Sequence, residues 1–194
     1  MGRPPKEDRP PEILEATCRA IARVGIGGLY IRHVAEEAGV SRALVSYYFP
    51  TKAELLAAAL EYAETRAIEE IDARTPSGPA PDRITQMLLL EIDDAPAVRD
   101  NWVVWNEITG AAMFDPSFKA ALETWSRKWN EKLASLIEEG QSEGSISPDV
   151  DPSSTAERLT GLVDGIGVRW IVGLTPRERA HALLRDAVSA ELRT

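Results

Sequence analysis

The sequence predicts an all-α protein with three short helices at its N-terminus and six in the remaining chain. Three observations predict it. Apolar residues recur at helical spacing through most of the 194 residues. Tracts rich in Ala, Leu, Glu and Arg favour helix. Strand-like alternation is almost absent.

The elements follow in order. Residues 1–10 are Pro-rich and charged, with Arg3, Lys6 and Arg9, and read either as a basic arm for DNA or as a solvated tail. Helix one is expected from Pro11 to Val24, with Ile13, Leu14, Thr17, Cys18, Ile21 and Val24 in one stripe. The GIGG run at 25–28 ends it, and Leu29 seals a small core.

Residues 31–56 carry the most specific pattern. Val34, Ala35 and Ala38 are apolar at helical spacing, which predicts a short helix from Ile31 to Ala38. Gly39 supplies the left-handed stop, Val40 plugs the corner, and Ser41 caps a second short helix, Arg42 to Tyr48. Ala35, Gly39 and Val45 give a tight helix crossing, as a helix-turn-helix requires. Such a unit presents its second helix to a major groove, N-terminal residues first.

The run YYFPTKAELL, 47–56, resembles the segment that closes the DNA-binding domain of TetR-family transcriptional repressors. SYYF is similar to the branch of choline-to-betaine gene repressors. The motifs cover about residues 10–60; beyond them the likeness is architectural. Two positions depart from the family pattern. Tyr30 stands where a capping threonine is usual, and Ser46 where a tyrosine is common. Both leave the operator sequence open.

The resemblance implies a fold of two parts: a three-helix helix-turn-helix DNA-binding domain, then a six-helix ligand-binding and dimerisation domain. The boundaries expected are 1–50 for arm and reader (core 11–50), 51–74 for a connecting helix four, and 75–194 for the body. The residues expected at DNA are Arg32, Ser41, Arg42, Ala43, Leu44, Ser46, Tyr47, Tyr48 and Lys52. Arg42, Ala43 and Tyr47 are expected to face the groove and Ser41, Tyr48 and Lys52 to hold phosphates, with core packing the alternative for Tyr48. Spacing does not decide whether Arg42 reads a guanine edge or holds a phosphate.

Composition bounds the alternatives. The net charge is −9, yet residues 1–60 carry eight Lys/Arg against seven Asp/Glu, and the remainder fourteen against twenty-four. The acidic excess therefore lies outside the reader. Phosphate contacts act within a Debye length of about 8 Å, so local charge matters more than the total. No run approaches the roughly 18 apolar residues of a membrane span, and MGRPPKEDRPPE has no apolar signal core. The expected location is the cytoplasm. One cysteine, Cys18, excludes an internal disulfide and reads as a buried structural thiol. His33 and His181 are the only histidines and lie far apart. No nucleophile triad, zinc spacing or phosphate-binding glycine loop is present, so neither catalytic residues, nor a metal, nor a cofactor is expected. An enzyme and a helical interaction protein with a vestigial reader are the alternatives to a regulator.

In the body, Thr51-Lys-Ala-Glu54 is a capping box for helix four, whose Leu55, Leu56, Ala59, Leu60, Ala63 and Ala67 form its inner side. It bridges the domains and is the expected lever of a switch. Loop 75–82 precedes helix five (83–94) and helix six (96–111). Asp115-Pro116 opens helix seven (116–140), and 142–152 is a second loop. Helix eight carries Leu159, Leu162, Val163, Ile166 and Trp170 in a stripe interrupted by Gly161, Gly165 and Gly167. These glycines suggest close approach by another helix. Helix nine begins at the capping box Thr175–Glu178 and adds Leu183, Leu184, Ala187 and Val188. These seams are expected to form a four-helix interface between two copies. The family's bodies usually enclose an effector pocket, and the residues expected to line it are Trp102, Trp105, Asn106, Thr109, Met113, Phe114, Phe118, Trp125, Trp129 and Asp164. Tryptophan faces attract quaternary ammonium groups, and Glu107 adds charge. The expected function is a repressor that binds a palindromic DNA operator as a homodimer and is released by a small-molecule effector.

Overall fold

The computed structural model describes residues 10–192, and all regular structure among them is helical. Apart from Pro10, the expected N-terminal arm lies outside the described residues. The helices are α1 (Pro11–Gly28), α2 (Ile31–Ala38), α3 (Arg42–Tyr48), α4 (Lys52–Arg74), α5 (Ala80–Leu90), α6 (Pro96–Ala112), α7 (Lys119–Ser142), α8 (Pro152–Ile171) and α9 (Arg177–Leu192), with a 3-10 turn at Pro116–Phe118 before α7. They form two compact units. One comprises the chain up to Ala67 together with Asp100–Glu123; the other comprises Ile68–Arg99 and the chain from Thr124. Helices α4, α6 and α7 each continue from one unit into the other.

In the first unit, α1 packs on α2 and α2 on α3. Ile13, Ile21, Val34, Val45 and Phe49 are buried there, with Leu55 and Leu60 of α4. The α1 stripe is inside except Val24, which is 38% exposed, because the helix breaks at the next residue. Gly25 has φ 66° and ψ 168°, a region almost reserved for glycine. One further turn, 26–28, leads to buried Leu29. Gly39 is left-handed (φ 66°, ψ 28°). Its N–H reaches Glu36 O and that of Val40 reaches Ala35 O, so these two carbonyls near the end of α2 are satisfied. Arg19 and Arg23 of α1 both donate to Glu37 of α2, at 3.0 and 2.8 Å. The carboxyl of Glu37 lies below its usual range, chiefly through the Arg19 hydrogen bond. Cys18 is buried and donates to Ala59 O at 3.5 Å. Burial first, then the charges of Asp100 and Glu15, push its thiol up to about 12.

In the second unit, α9 packs on α5 and α8. α5 spans Ala80–Leu90, not 83–94 as expected. Pro81 sits in its first turn, where a missing N–H is harmless. After its end, Asp93 turns the chain: Oδ1 accepts from Ala95 N–H at 2.9 Å and Oδ2 from Arg74 at 3.0 Å. The expected loop 142–152 is cut to 143–151 by the ends of α7 and α8, and it buries Ile146 and Val150. Gln141 holds it by donating to Ser147 O and Val150 O. Gly140 lies inside α7 because a Cβ there would meet Ile146 Cδ1 at 2.5 Å and Ala80 Cβ at 2.9 Å. Arg83–Glu139 ties α5 to α7, Thr160–Asn130 ties α8 to α7, and Arg158–Glu191 ties α8 to α9. His181 Nε2 donates to Ile92 O at 2.7 Å, which gives it a structural role.

Candidate nucleic-acid interface and effector helix

The recognition helix begins at Ser41, whose Oγ accepts from Leu44 N–H at 3.2 Å. Val45 is fully buried and Phe49 nearly so. These two roots fix which way α3 faces. Ser41, Arg42, Ala43, Leu44, Ser46 and Tyr47 are all exposed. Residues 42, 43, 46 and 47 fall on one outward side by helical period. Arg42 has no ion-pair partner among the described residues. Tyr48 is half-buried and meets Tyr47 edge to face at 5.2 Å, so packing occupies part of the ring assigned to phosphate.

Two flanking assignments acquire detail. Arg32 is exposed and stacks over the exposed Tyr30 ring at 4.4 Å. Tyr30 sits at the start of α2, where its N–H donates to His33 Nδ1 at 3.3 Å. The histidine side chain thus caps the free Tyr30 N–H, while His33 N–H itself goes to Tyr30 O at 2.9 Å. Lys52 Nζ donates to Ile26 O at 2.6 Å, so one of its protons is used inside the protein.

The ten residues expected at an effector divide between the units. In the first, Trp102 and Phe118 are buried, and Trp105, Asn106 and Thr109 are half-buried. Asn106 spends its amide on Trp102 O of its own helix, at 2.7 Å. Met113 and Phe114 are 76% and 89% exposed; they stand at the end of α6, where the chain turns outward, and line no interior. In the second unit Trp125 and Trp129 are buried, with Lys128 Nζ over the Trp125 ring at 3.9 Å, and Asp164 is exposed. Glu107, offered as ligand charge, instead accepts from Ile26 N–H at 2.6 Å.

Asn101 was missed. Its Oδ1 and the Thr109 Oγ1 are buried without a hydrogen-bond partner among the described residues. Positions 101, 105 and 109 lie on one side of α6, a spacing that was legible. The second unit also holds a cavity of about 280 Å³, lined by Asp72, Thr75–Gly78, Arg83, Met87, Lys132 and Leu136. None of the expected residues lines it, and Lys132 and Arg83 are ion-paired to Asp72 and Glu139.

The dimer residues are also rearranged. Leu159, Val163, Ile166, Trp170, Leu184 and Val188 are buried within the chain, and Leu183 and Ala187 are half-buried. The strongest apolar stripe faces its own core, since intrachain packing claims it first. Of the seam, Leu162 is open, at 38% exposure. The outward side of α8 carries Gly161, Leu162, Gly165 and Val168 together with exposed Asp164 and Arg169, and exposed Val172 and Leu174 follow the helix. A Cβ on Gly161 or Gly165 would meet nothing within 4 Å.

A three-helix core that roots one short helix and turns its other side outward defines a helix-turn-helix DNA-binding protein. Comparison with known proteins agrees. Residues 13–59 match the model for bacterial regulatory proteins of the tetR family, and residues 80–193 match that for the C-terminal part of BetI-type transcriptional repressors. The chain belongs to the TetR family of transcriptional regulators, in its BetI-type branch. It is 24% identical over 184 residues to the regulator BetI of Brucella suis, covering 93% of this chain and 90% of that one. It is 29% identical to the regulator PksA of Bacillus subtilis, covering 84% and 78%. A TetR-family regulator from Rhodococcus sp. superposes with a TM-score of 0.88 at 36% identity, covering 94% and 97%. A regulator from Saccharomonospora viridis in complex with choline gives 0.77 at 28% identity, covering 92% of both chains. The relatives are transcriptional regulators, not enzymes. No helix among the described residues is long and apolar enough to cross a membrane.

Proposed function

We propose that the protein represses transcription by binding a palindromic operator as a homodimer and leaves it when a small cationic effector binds. The observation that carries the DNA reading is the outward side of α3, where Arg42 stands without an ion-pair partner among the described residues while Val45 and Phe49 root the helix. Two such helices address successive major grooves about 34 Å apart. Dimerisation is supported by the open side of α8, where Gly161, Leu162, Gly165 and Val168 stand beside exposed Asp164 and Arg169. Its glycines at 161 and 165 let a second helix backbone approach closely, and Leu162, Val168 and Val172 supply burial. The site of action is the cytoplasm, where the DNA lies.

For the effector, the supporting features are α6 and the relatives. Trp102 and Trp105 offer faces suited to a quaternary ammonium group. Asn101 Oδ1 and Thr109 Oγ1 are acceptors awaiting a donor such as a hydroxyl. The 28%-identical Saccharomonospora regulator binds choline, and the C-terminal half is of BetI type. A ligand releases DNA only by binding the DNA-incompetent state more tightly.

The test is selection of purified protein on a random double-stranded DNA pool, followed by sequencing. An enriched inverted repeat is expected; no enrichment at low salt would overturn the reading. Choline at millimolar concentration should change tryptophan fluorescence and weaken binding to the selected repeat. Unchanged fluorescence and binding would remove choline.

A further inference from the structure

We propose that Glu107 is a positioning residue that fastens α6 to the reader and so sets the spacing of the two recognition helices in the dimer. The inference deepens the operator-binding reading and rests on it. Three features of the first unit converge on one residue, Ile26. The backbone break at Gly25 turns the Ile26 N–H out of the α1 ladder, and Glu107 Oε2 of α6 accepts it at 2.6 Å. A carboxylate receiving a backbone N–H at that distance is a charge-assisted bond, about twice as strong as a neutral one. The carbonyl of Ile26 accepts from Lys52 Nζ at 2.6 Å, and Lys52 is the first residue of α4. Gly25 is also what lets the carboxylate come so near, since a Cβ on it would lie 2.9 Å from Glu107 Oε2.

The result is a clasp. One residue of the reader is held on its N–H side by α6 and on its carbonyl side by α4. Those helices are two of the three that continue into the second unit. With the clasp closed, α4 and α6 cannot shift independently where they meet the reader. A change in either then turns the reader as a body. With it open, each reader is free to tilt, and a dimer loses its preference for one half-site separation.

The experiment compares wild type with E107A and E107Q on the selected inverted repeat, on repeats with the centre lengthened or shortened by one base pair, and on a single half-site. Wild type should prefer one spacing by tenfold or more. E107A should reduce that preference at least fivefold while leaving half-site affinity within twofold. A merely structural role would instead lower half-site affinity. E107Q keeps a neutral acceptor and should fall between. It also serves if E107A does not fold. Amide hydrogen exchange at Ile26, measured without DNA, should be at least tenfold faster in E107A than in wild type. An unchanged spacing profile, or unchanged exchange at Ile26, overturns the proposal. A wild type that selects no repeat overturns the operator reading instead, and the exchange result then shows whether the clasp itself exists.

Discussion

Replacing Gly25 by alanine should destabilise the protein more than the same change at Gly39, although both glycines have φ of 66°. The difference lies in ψ and in the neighbours. Gly25 at ψ 168° occupies a region where a side chain is strained by of order 1–3 kcal/mol. Alanine also restricts the unfolded chain, which returns about 0.4–1 kcal/mol. Its Cβ would stand 2.9 Å from Glu107 Oε2, so the carboxylate must withdraw from Ile26 N–H. For a partly exposed charged bond that forfeits about 1–2 kcal/mol. The net loss is about 2–4 kcal/mol, which for a chain of this size lowers Tm by roughly 4–16 °C. Gly39 lies in the ordinary left-handed region with open space around a Cβ, and its alanine should lose about 1 kcal/mol or less by the same balance. Thermal unfolding followed by circular dichroism at 222 nm measures both. A Gly25→Ala protein within a degree of wild type, or a larger loss at Gly39, would refute the reasoning.

Arg42→Ala should weaken operator binding tenfold or more; loss confined to particular base positions marks base readout, and uniform loss on all DNA marks a phosphate contact. Val172→Asp places a charge at the exposed position just after α8 without touching the core, and should weaken self-association at least tenfold by analytical ultracentrifugation; a variant as dimeric as wild type would move the interface elsewhere. Cys18, buried and with its thiol pushed up to about 12, should resist iodoacetamide at pH 8 in the native protein and react at the rate of unfolding; rapid native alkylation would contradict that burial. Glu37 has a folded pKa below its unfolded one, so its contribution is present above the unfolded value and is lost as pH falls through the folded value. Glu37→Gln should therefore be less stable than wild type at pH 6, and the difference should shrink as the pH falls below 4.5; parallel stability curves would show that its pairs with Arg19 and Arg23 contribute nothing.

Much of the fold was legible because it is local. The bounds of α2 and α3 follow from Gly39, Ser41 and the apolar period, and the structure gives the same bounds, Ile31–Ala38 and Arg42–Tyr48. The threonine half of the Thr51 capping box is present, with Glu54 N–H donating to Thr51 Oγ1 at 3.2 Å. The break after Val24 was readable from GIGG. Less legible was α5, where prolines read as a loop served as a helix start. His33 was noticed only as a non-catalytic histidine, because its capping partner is a backbone N–H rather than a motif.

What the sequence determined by itself was the class of fold, the reader and its exposed residues, since each depends on periods and caps within a few positions. Only the tertiary structure decided which apolar stripe faces inward. Leu159, Val163, Ile166 and Trp170 repeat at helical spacing, as an interface and a core both require, and nothing local separates the two. Packing within the chain claimed that stripe and left the glycine-bearing side of α8 open. Likewise, Glu107 stands 81 positions from Ile26. A bond across that separation leaves no periodic trace, so its existence depends on how α6 folds back against the reader's own unit.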